Sequence, residues 1–321
     1  MPRQSSVPGL VRIGTRASKL AQTQSRLMQL AITAALGAPP EAAEEVAPLV
    51  LITTSGDRIQ DRRLLEAGGK GLFVKEIEEA LLDGRIDCAV HSLKDMPAEL
   101  PPDLVIAATP EREDPRDALL CPTSSFADLP KGARLGTASL RRQAQALHRR
   151  PDLEIVMVRG NVDTRLAKLD AGDFDALVLA LSGLKRLGLD GRVREAFDPV
   201  EAPPAPGQGA LAIETRIDDA DAPWLGPLRH RPTGLAVAAE RGALQALEGS
   251  CRTAIGAHAR IDAGRLVLTL EALTPDGALR FRREDWMGAP AADASDTDAY
   301  AFGLELGDVL REEAGDRIAW G

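Results

Sequence analysis

The stretch "ARLGTASLRRQAQALHRRPDLEIVMVRGNVDTRLAKLDAGDFDALVLAL", Ala133–Leu181, decides the fold. Its "ARLGT", "LEIVMV" and "FDALVLAL" are short apolar runs of strand length, bounded by Gly, Pro and Asp. Between them "SLRRQAQALHRR" and "VDTRLAKLDAG" carry helical spacing. Strand, helix, strand, helix, strand means βαβ units and a mainly parallel sheet, because parallel neighbours need a crossover. The same alternation precedes it. Val11–Ile13 is a strand ending at "GTRASKLA", a helical pattern runs to about Leu36, and "VAPLVLITTSGD" is a second strand closed by Gly56-Asp57. Leu72–Asp83 is an amphipathic helix and Ile86–Val90 a third strand.

Between these, "RIQDRRLLEAGGKG" is polar and ends in glycines, so Arg58–Gly71 is expected to be a mobile lid, with Phe73 beyond it as a stacking surface. "VEAPPAPGQGALAIE" (Val200–Glu214) is rich in Pro and Gly and reads as a crossing between domains. A third region begins near Arg231, with a long helix at about Thr233–Leu247, a break at "EGSC", strands around "AIGAHARI", "RLVLTLEAL" and "ALRFRREDW", and a final helix.

Composition narrows the function. The 39 Lys+Arg and 48 Asp+Glu give a net charge of −9, and aromatic residues make up 3%, which speaks against a nucleic-acid binder. The basic residues are nevertheless concentrated. Arg134, Arg141, Arg142, Arg149, Arg150, Arg159, Arg165 and Lys168 stand against Asp152, Glu154 and Asp163, as expected of a focused site for a small polyanion. No apolar run is long enough to span a membrane, and the N-terminal stretch lacks the apolar core of a secretory signal. Cys88, Cys121 and Cys251 fit neither a disulfide framework nor a zinc spacing, so a reducing cytoplasm is expected. His91, His148, His230 and His258 show no metal spacing, and no metal is expected.

The candidate residues lie at strand ends. In "GTASLRRQ", Thr137 and Ser139 can cap a helix whose first turn holds Arg141 and Arg142. Cations there oppose the helix dipole, a placement that makes sense if an anion normally sits nearby. "VRGNVDTRL" repeats the plan, with Arg159 ending a strand, Asp163 as a capping residue and Arg165 early in the helix. "GTRASKLA" does the same with Arg16 and Ser18. In open α/β sheets ligands sit at the carboxyl ends of strands, so these motifs converge on one crevice. "IDCAVHSLKDMP" sends Lys94 and Asp95 out of that same edge. Cys251 sits in a loop beside Gly249, Ser250 and Arg252, surroundings that favour a thiolate.

Eight blocks, "RASKLA", "GGKGLFVKEIE", "AVHSLKDMP", "GTASLRRQAQ", "RGNVDTRL", "LSGLKRLGL", "PAPGQGALAIE" and "EGSCRTAIG", resemble in order the signature blocks of the porphobilinogen deaminase (hydroxymethylbilane synthase) family. The resemblance runs from about Ile13 to Gly256. It implies two periplasmic-binding-protein-like doubly wound domains around a cleft, plus a smaller C-terminal α/β domain. The expected limits are 1–110 plus 209–227, 111–208, and 228–321. It also implies a transferase of tetrapyrrole biosynthesis that condenses four porphobilinogen units on a dipyrromethane cofactor. On the family's pattern Cys251 carries that cofactor through a thioether and Asp95 is the catalytic aspartate. Arg16, Ser18, Lys94, Ser139, Arg141, Arg142, Arg159, Arg165 and Arg186 match residues that bind acetate and propionate side chains. Lys94, Asp95, Arg141 and Arg142 also match cofactor contacts.

Three departures stand out: Ala138 where many members have a second serine, Ser250 in place of a common glycine, and an extra proline in "PAPGQG". A cytoplasmic monomer that binds no nucleic acid and no membrane is expected. The alternative is a non-catalytic anion-binding protein of the same architecture, which accounts for the arginines but not for Cys251.

Overall fold

The apolar runs become strands of three sheets in a computed structural model that describes residues 9–55, 74–247 and 253–320. The anticipated lid at 58–71, Phe73, the Gly56-Asp57 strand end, Ser250 and Cys251 lie outside the described residues.

The first sheet contains β1 (Ile13–Arg16), β2 (Leu49–Ile52), β3 (Cys88–Ser92), β4 (Leu104–Ala108) and β10 (Leu211–Arg216), in the order β2-β1-β3-β10-β4. The second contains β5 (Asp117–Leu120), β6 (Arg134–Gly136), β7 (Glu154–Val156), β8 (Ala176–Ala180) and β9 (Glu195–Ala196), in the order β7-β6-β8-β5-β9. Four strands in each point the same way, and three of them pair directly in parallel, as the βαβ pattern requires. β10 is antiparallel to both its neighbours, however, and so is β5. Each sheet is therefore mainly parallel in strand direction, with one reversed strand that makes half of its pairings antiparallel. The reason is topological. The chain crosses from the first sheet to the second through 109–116 and returns through 197–210, and each crossing delivers one reversed strand.

Helices cover both faces. In the first sheet α1 (Lys19–Ala35) packs Ile32 with Ile13, Cys88 and Val90, while α3 (Lys75–Leu82) packs Ile77, Ala80 and Leu81 with Ile52, Ile86 and Ala89. A short α2 spans Ala43–Val46. In the second sheet α4 (Leu140–Arg149) adds Ala146 to one apolar layer, and α5 (Val162–Asp170) and α6 (Leu181–Arg186) add Leu166 and Leu184 to the other. This doubly wound architecture follows from the alternation of short apolar runs with helical spacing. The third sheet is an antiparallel meander of β11 (Ala254–Asp262), β12 (Arg265–Leu273) and β13 (Arg280–Pro290). It is backed by α7 (Arg231–Ala246) and α8 (Asp296–Ala314), which share its apolar core.

The three parts meet at the crossings. Glu240 of α7 is fully buried and accepts from Arg112 at 2.7 and 3.0 Å, from the Gly207 amide at 2.6 Å and from the Ala259 amide at 2.8 Å. A buried carboxylate is tolerated when its lone pairs are filled in this way. Gly207 and Gly209 both have φ in the left-handed region, +75° and +89°. A Cβ at Gly207 would stand 2.2 Å from Leu93 Cδ2, and one at Gly209 2.3 Å from the Glu113 carbonyl oxygen. Glycine is required twice over, by backbone conformation and by close approach. The "PGQG" signal is thus the place where the return crossing presses against both the outgoing crossing and the turn after β3.

Candidate active site

Reversed strands put the site where it is. Because β5 and β10 run antiparallel, their first residues align with the last residues of the parallel strands: Asp117 with Ala180, and Leu211 with Ser92. One edge of each sheet therefore carries parallel-strand ends, a crossing and several helix starts.

From the first sheet come Arg16 at the end of β1 and Ser18, which caps α1 by accepting from the Ala21 amide at 3.3 Å. Such caps contribute about 1 kcal/mol. β3 ends in a one-turn 3-10 helix, Leu93–Asp95. Leu93 and Met96 are buried in the core, and the turn between them leaves Asp95 exposed and Lys94 half-buried.

From the second sheet come the arginines. Ser139 caps α4, accepting from the Arg142 amide at 3.5 Å, while Thr137 accepts from the Ser139 amide at 3.1 Å. α5 is capped by Asn161, which accepts from the Thr164 amide at 2.8 Å, rather than by Asp163, the expected residue. Asparagine fits because it directly precedes the first helical residue; Asp163 already lies in the first turn. Arg165 donates to the Gly160 carbonyl at 2.8 Å, and Arg186 to the Gly209 carbonyl at 2.7 Å.

Arg141 and Arg142 are both buried, and the anion their position called for is internal. Asp117 takes Arg141 Nη1 on one oxygen and Arg142 Nη2 on the other, both at 2.7 Å. Arg142 also donates to the Val178 carbonyl at 3.0 Å, and Arg141 to the Pro203 carbonyl at 3.2 Å. Burial alone would push the Asp117 carboxyl up, but the two guanidiniums outweigh it and hold it well below the usual carboxylate range.

Lys94, Asp95, Arg141, Arg142, Arg159 and Arg165 form one electrostatic cluster across the two sheets. Burial pushes the Lys94 ammonium down to about 8, and Arg142 adds repulsion, against the pull of Asp95 and Asp117. Burial likewise holds Arg165 down to about 10, with Arg142 and Arg159 repelling it and Asp95 opposing them. Glu271, whose charge also reaches Arg141, is already paired with Arg280 at 2.5 Å. Cations thus outnumber carboxylates, and two buried guanidinium donors, Arg141 Nε and Arg159 Nη1, have no hydrogen-bond partner among the described residues. Buried donors left unpaired cost about 1–3 kcal/mol each, so these mark where an anionic group is missing. A primer bearing several carboxylates fits that deficit.

Asp117, Gln208, Arg112 and Glu240 were not legible as site residues. "PRDALL" places a carboxylate just before an apolar strand, and "PGQG" places a glutamine between obligatory glycines. Both signals are local, whereas the partners are not. Among the described residues no group of three or more His, Cys, Asp or Glu could hold a metal, and no helix is long and apolar enough to cross a membrane.

Two family models match this chain: porphobilinogen deaminase, dipyrromethane cofactor binding domain, over residues 11–223, and porphobilinogen deaminase, C-terminal domain, over residues 234–312. A porphobilinogen deaminase of Caulobacter vibrioides is 67% identical over 313 residues, covering 96% of this chain and 97% of that protein. One of Phenylobacterium zucineum is 64% identical over 318 residues, covering 96% and 98%. A periplasmic sulfonate-binding protein of Methylobacillus flagellatus shares 16% identity over 73% of this chain and 68% of that one, with a TM-score of 0.37.

Proposed function

Because this chain belongs to the porphobilinogen deaminase family, we propose that it joins four porphobilinogen units head to tail on a covalent dipyrromethane primer. It loses one ammonia at each addition and releases the linear tetrapyrrole hydroxymethylbilane by hydrolysis. The observation that supports this most is the pairing of an exposed carboxylate, Asp95, with cross-cleft arginines that keep buried N–H groups unpartnered.

The chemistry divides between the two edges. As the aminomethyl C–N bond of porphobilinogen breaks, ammonia leaves with the electron pair and positive charge spreads onto the pyrrole nitrogen. Asp95 accepts the pyrrole N–H and stabilises that charge; a well-placed group of this kind is worth about 3 kcal/mol of barrier. Lys94 beside it orients a substrate carboxylate. Arg159, Arg165 and Arg186, with Arg16, Ser18, Ser139 and the Nε of Arg141, receive acetate and propionate groups, for which guanidinium forks suit carboxylates in pairs, while Arg142, held by Asp117, adds its field to theirs. Six rings carry about twelve carboxylates, so an acidic protein retains the chain only through such local cations. When bound, the dipyrromethane supplies the terminal pyrrole carbon on which the chain grows. Among the described residues, Arg159 Nη1 and Arg141 Nε are buried donors open to its carboxylates.

Attachment is assigned to Cys251, which follows closely after α7. The limits 1–110 plus 209–227, 111–208 and 228–321 are assigned to three domains. The enzyme is assigned to the cytoplasm as a monomer that takes porphobilinogen and no nucleic acid.

Intact mass tests the proposal. The purified protein should exceed its sequence mass by two porphobilinogens less two ammonias and should consume porphobilinogen, while Cys251→Ser should have the bare sequence mass and no turnover. A bare mass and no turnover for the unsubstituted protein would instead support a non-catalytic anion binder. A normal adduct on Cys251→Ser would move the attachment elsewhere.

A further inference from the structure

We infer that Gln208 is a positioning residue: its side-chain amide fixes the Lys94 ammonium, and through it the turn carrying Asp95, against the Asp117–arginine cluster of the opposite sheet. This inference rests on the deaminase activity proposed above. Gln208 is fully buried in the return crossing. Its Oε1 accepts from Lys94 Nζ at 3.3 Å, while its Nε2 donates to Asp117 Oδ1 at 2.9 Å and to the Pro115 carbonyl at 2.7 Å. Its own carbonyl accepts from Arg112 Nε at 2.8 Å.

The amide's orientation is forced. An ammonium offers only donors, and a carboxylate and a backbone carbonyl offer only acceptors, so the oxygen must face Lys94 and the nitrogen must face Asp117. Glutamine alone among the common side chains meets both at this length. Glutamate would set a second carboxylate against Asp117, methionine would pair with neither, and asparagine is one methylene short. The backbone on each side is pinned too, since Gly207 and Gly209 adopt left-handed φ against Leu93 and Glu113. The joint spans the site: Lys94 follows β3 of the first sheet, and Asp117 opens β5 of the second. Asp117 Oδ1 is shared between Gln208 and Arg142, so one atom ties the lysine's position to that of an arginine.

The test is a double-mutant cycle on holoenzymes, with Gln208→Met, Lys94→Met and the pair, each checked for primer by mass and for folding by thermal melt. Gln208→Met should lower kcat about tenfold with KM nearly unchanged, and the double variant should be no slower than Lys94→Met alone. Losses that multiply, or a normal kcat in Gln208→Met, would overturn the inference. If Gln208→Met does not fold, Gln208→Glu serves. Its kcat should fall with rising pH as the new carboxyl ionises beside Asp117, and a pH profile identical to the unsubstituted enzyme would overturn the inference. Absence of turnover in the unsubstituted, primer-bearing enzyme would overturn the deaminase activity itself, an outcome distinct from either.

Discussion

The first and second sheets are built on one plan and used for opposite purposes. In each, two parallel strands flank a central one, and a reversed strand from a crossing follows. Each plan places an aspartate at the shared edge. In the first sheet it is Asp95, exposed on a one-turn helix; in the second it is Asp117, buried and bound by Arg141, Arg142 and Gln208. On the proposed mechanism the same residue type at matching edges is a reagent in one sheet, and it is a structural counter-ion in the other. What differs is the number of donors around it. A carboxylate wrapped in donors has no lone pairs left for chemistry, whereas one facing a cleft keeps them for the substrate.

The sharpest way to break this comparison is to remove the buried member. Asp117→Asn leaves two buried guanidiniums without their counter-charge, which should destabilise the fold by about 3–5 kcal/mol. Urea unfolding followed by circular dichroism measures this directly. A loss under about 1 kcal/mol would mean that the charge of Arg141 and Arg142 is balanced from elsewhere and that Asp117 is not their counter-ion.

The contrast was only half legible beforehand. The βαβ alternation, the helix at 19–35, the core strand at Cys88 and the crossing at "PAPGQG" all follow from short-range periodicity, turn chemistry and composition. β4, β5 and β9 do not, because every pairing they make is antiparallel, at or beside a reversed strand, with no crossover helix to announce it. Asp117 illustrates the limit. Its partners Arg141, Arg142 and Gln208 lie far along the chain, and nothing near "PRDALL" says that a carboxylate there will be enclosed. The arginines of "SLRRQ" rightly called for an anion at the helix start, but could not say whether protein or ligand supplies it. For Arg141 and Arg142 the protein does. For the Nη1 of Arg159 none stands among the described residues. The cap of α5 shows a finer limit: Asn161 and Asp163 are both good capping residues, and only the position of the first helical turn chooses between them.

The exposed member should behave in the reverse manner. Asp95→Asn removes a charge from an open turn, so the thermal midpoint should stay close to that of the unsubstituted protein, within what about 0.5 kcal/mol produces. Turnover of porphobilinogen should fall by roughly 10²–10³-fold, since the amide no longer offers a full negative charge to the cation formed as ammonia leaves. Retained turnover would remove Asp95 from the chemistry. A large drop in stability would make it a counter-ion like Asp117, and the two edges would no longer differ.

The smallest expected effect lies between the sheets, at Lys94. Its ammonium is pushed from 10.5 down to about 8 in the folded protein, first by burial and then by Arg142. A base whose pKa is lower when folded binds fewer protons in the native than in the unfolded state between those two values. Stability must therefore rise with pH across that window, and below pH 8, where both states are protonated, it carries no such slope. Measured as the difference between the unsubstituted protein and Lys94→Met, the rise from pH 8 to 10 should be about 1 kcal/mol, because the half-buried side chain keeps some solvent screening. Comparing urea midpoints of the two proteins across this range cancels the other titrating groups. A flat difference would place the ammonium in water, away from Arg142, and the second sheet's arginines would then not reach across to the turn that carries Asp95. A rise that persists in the presence of a small dicarboxylate would show that the cations of the second sheet act on Lys94 even when their open donors are filled. A rise that vanishes with it would show that the anion, rather than Gln208 or Asp117, sets the charge felt at the first sheet's edge.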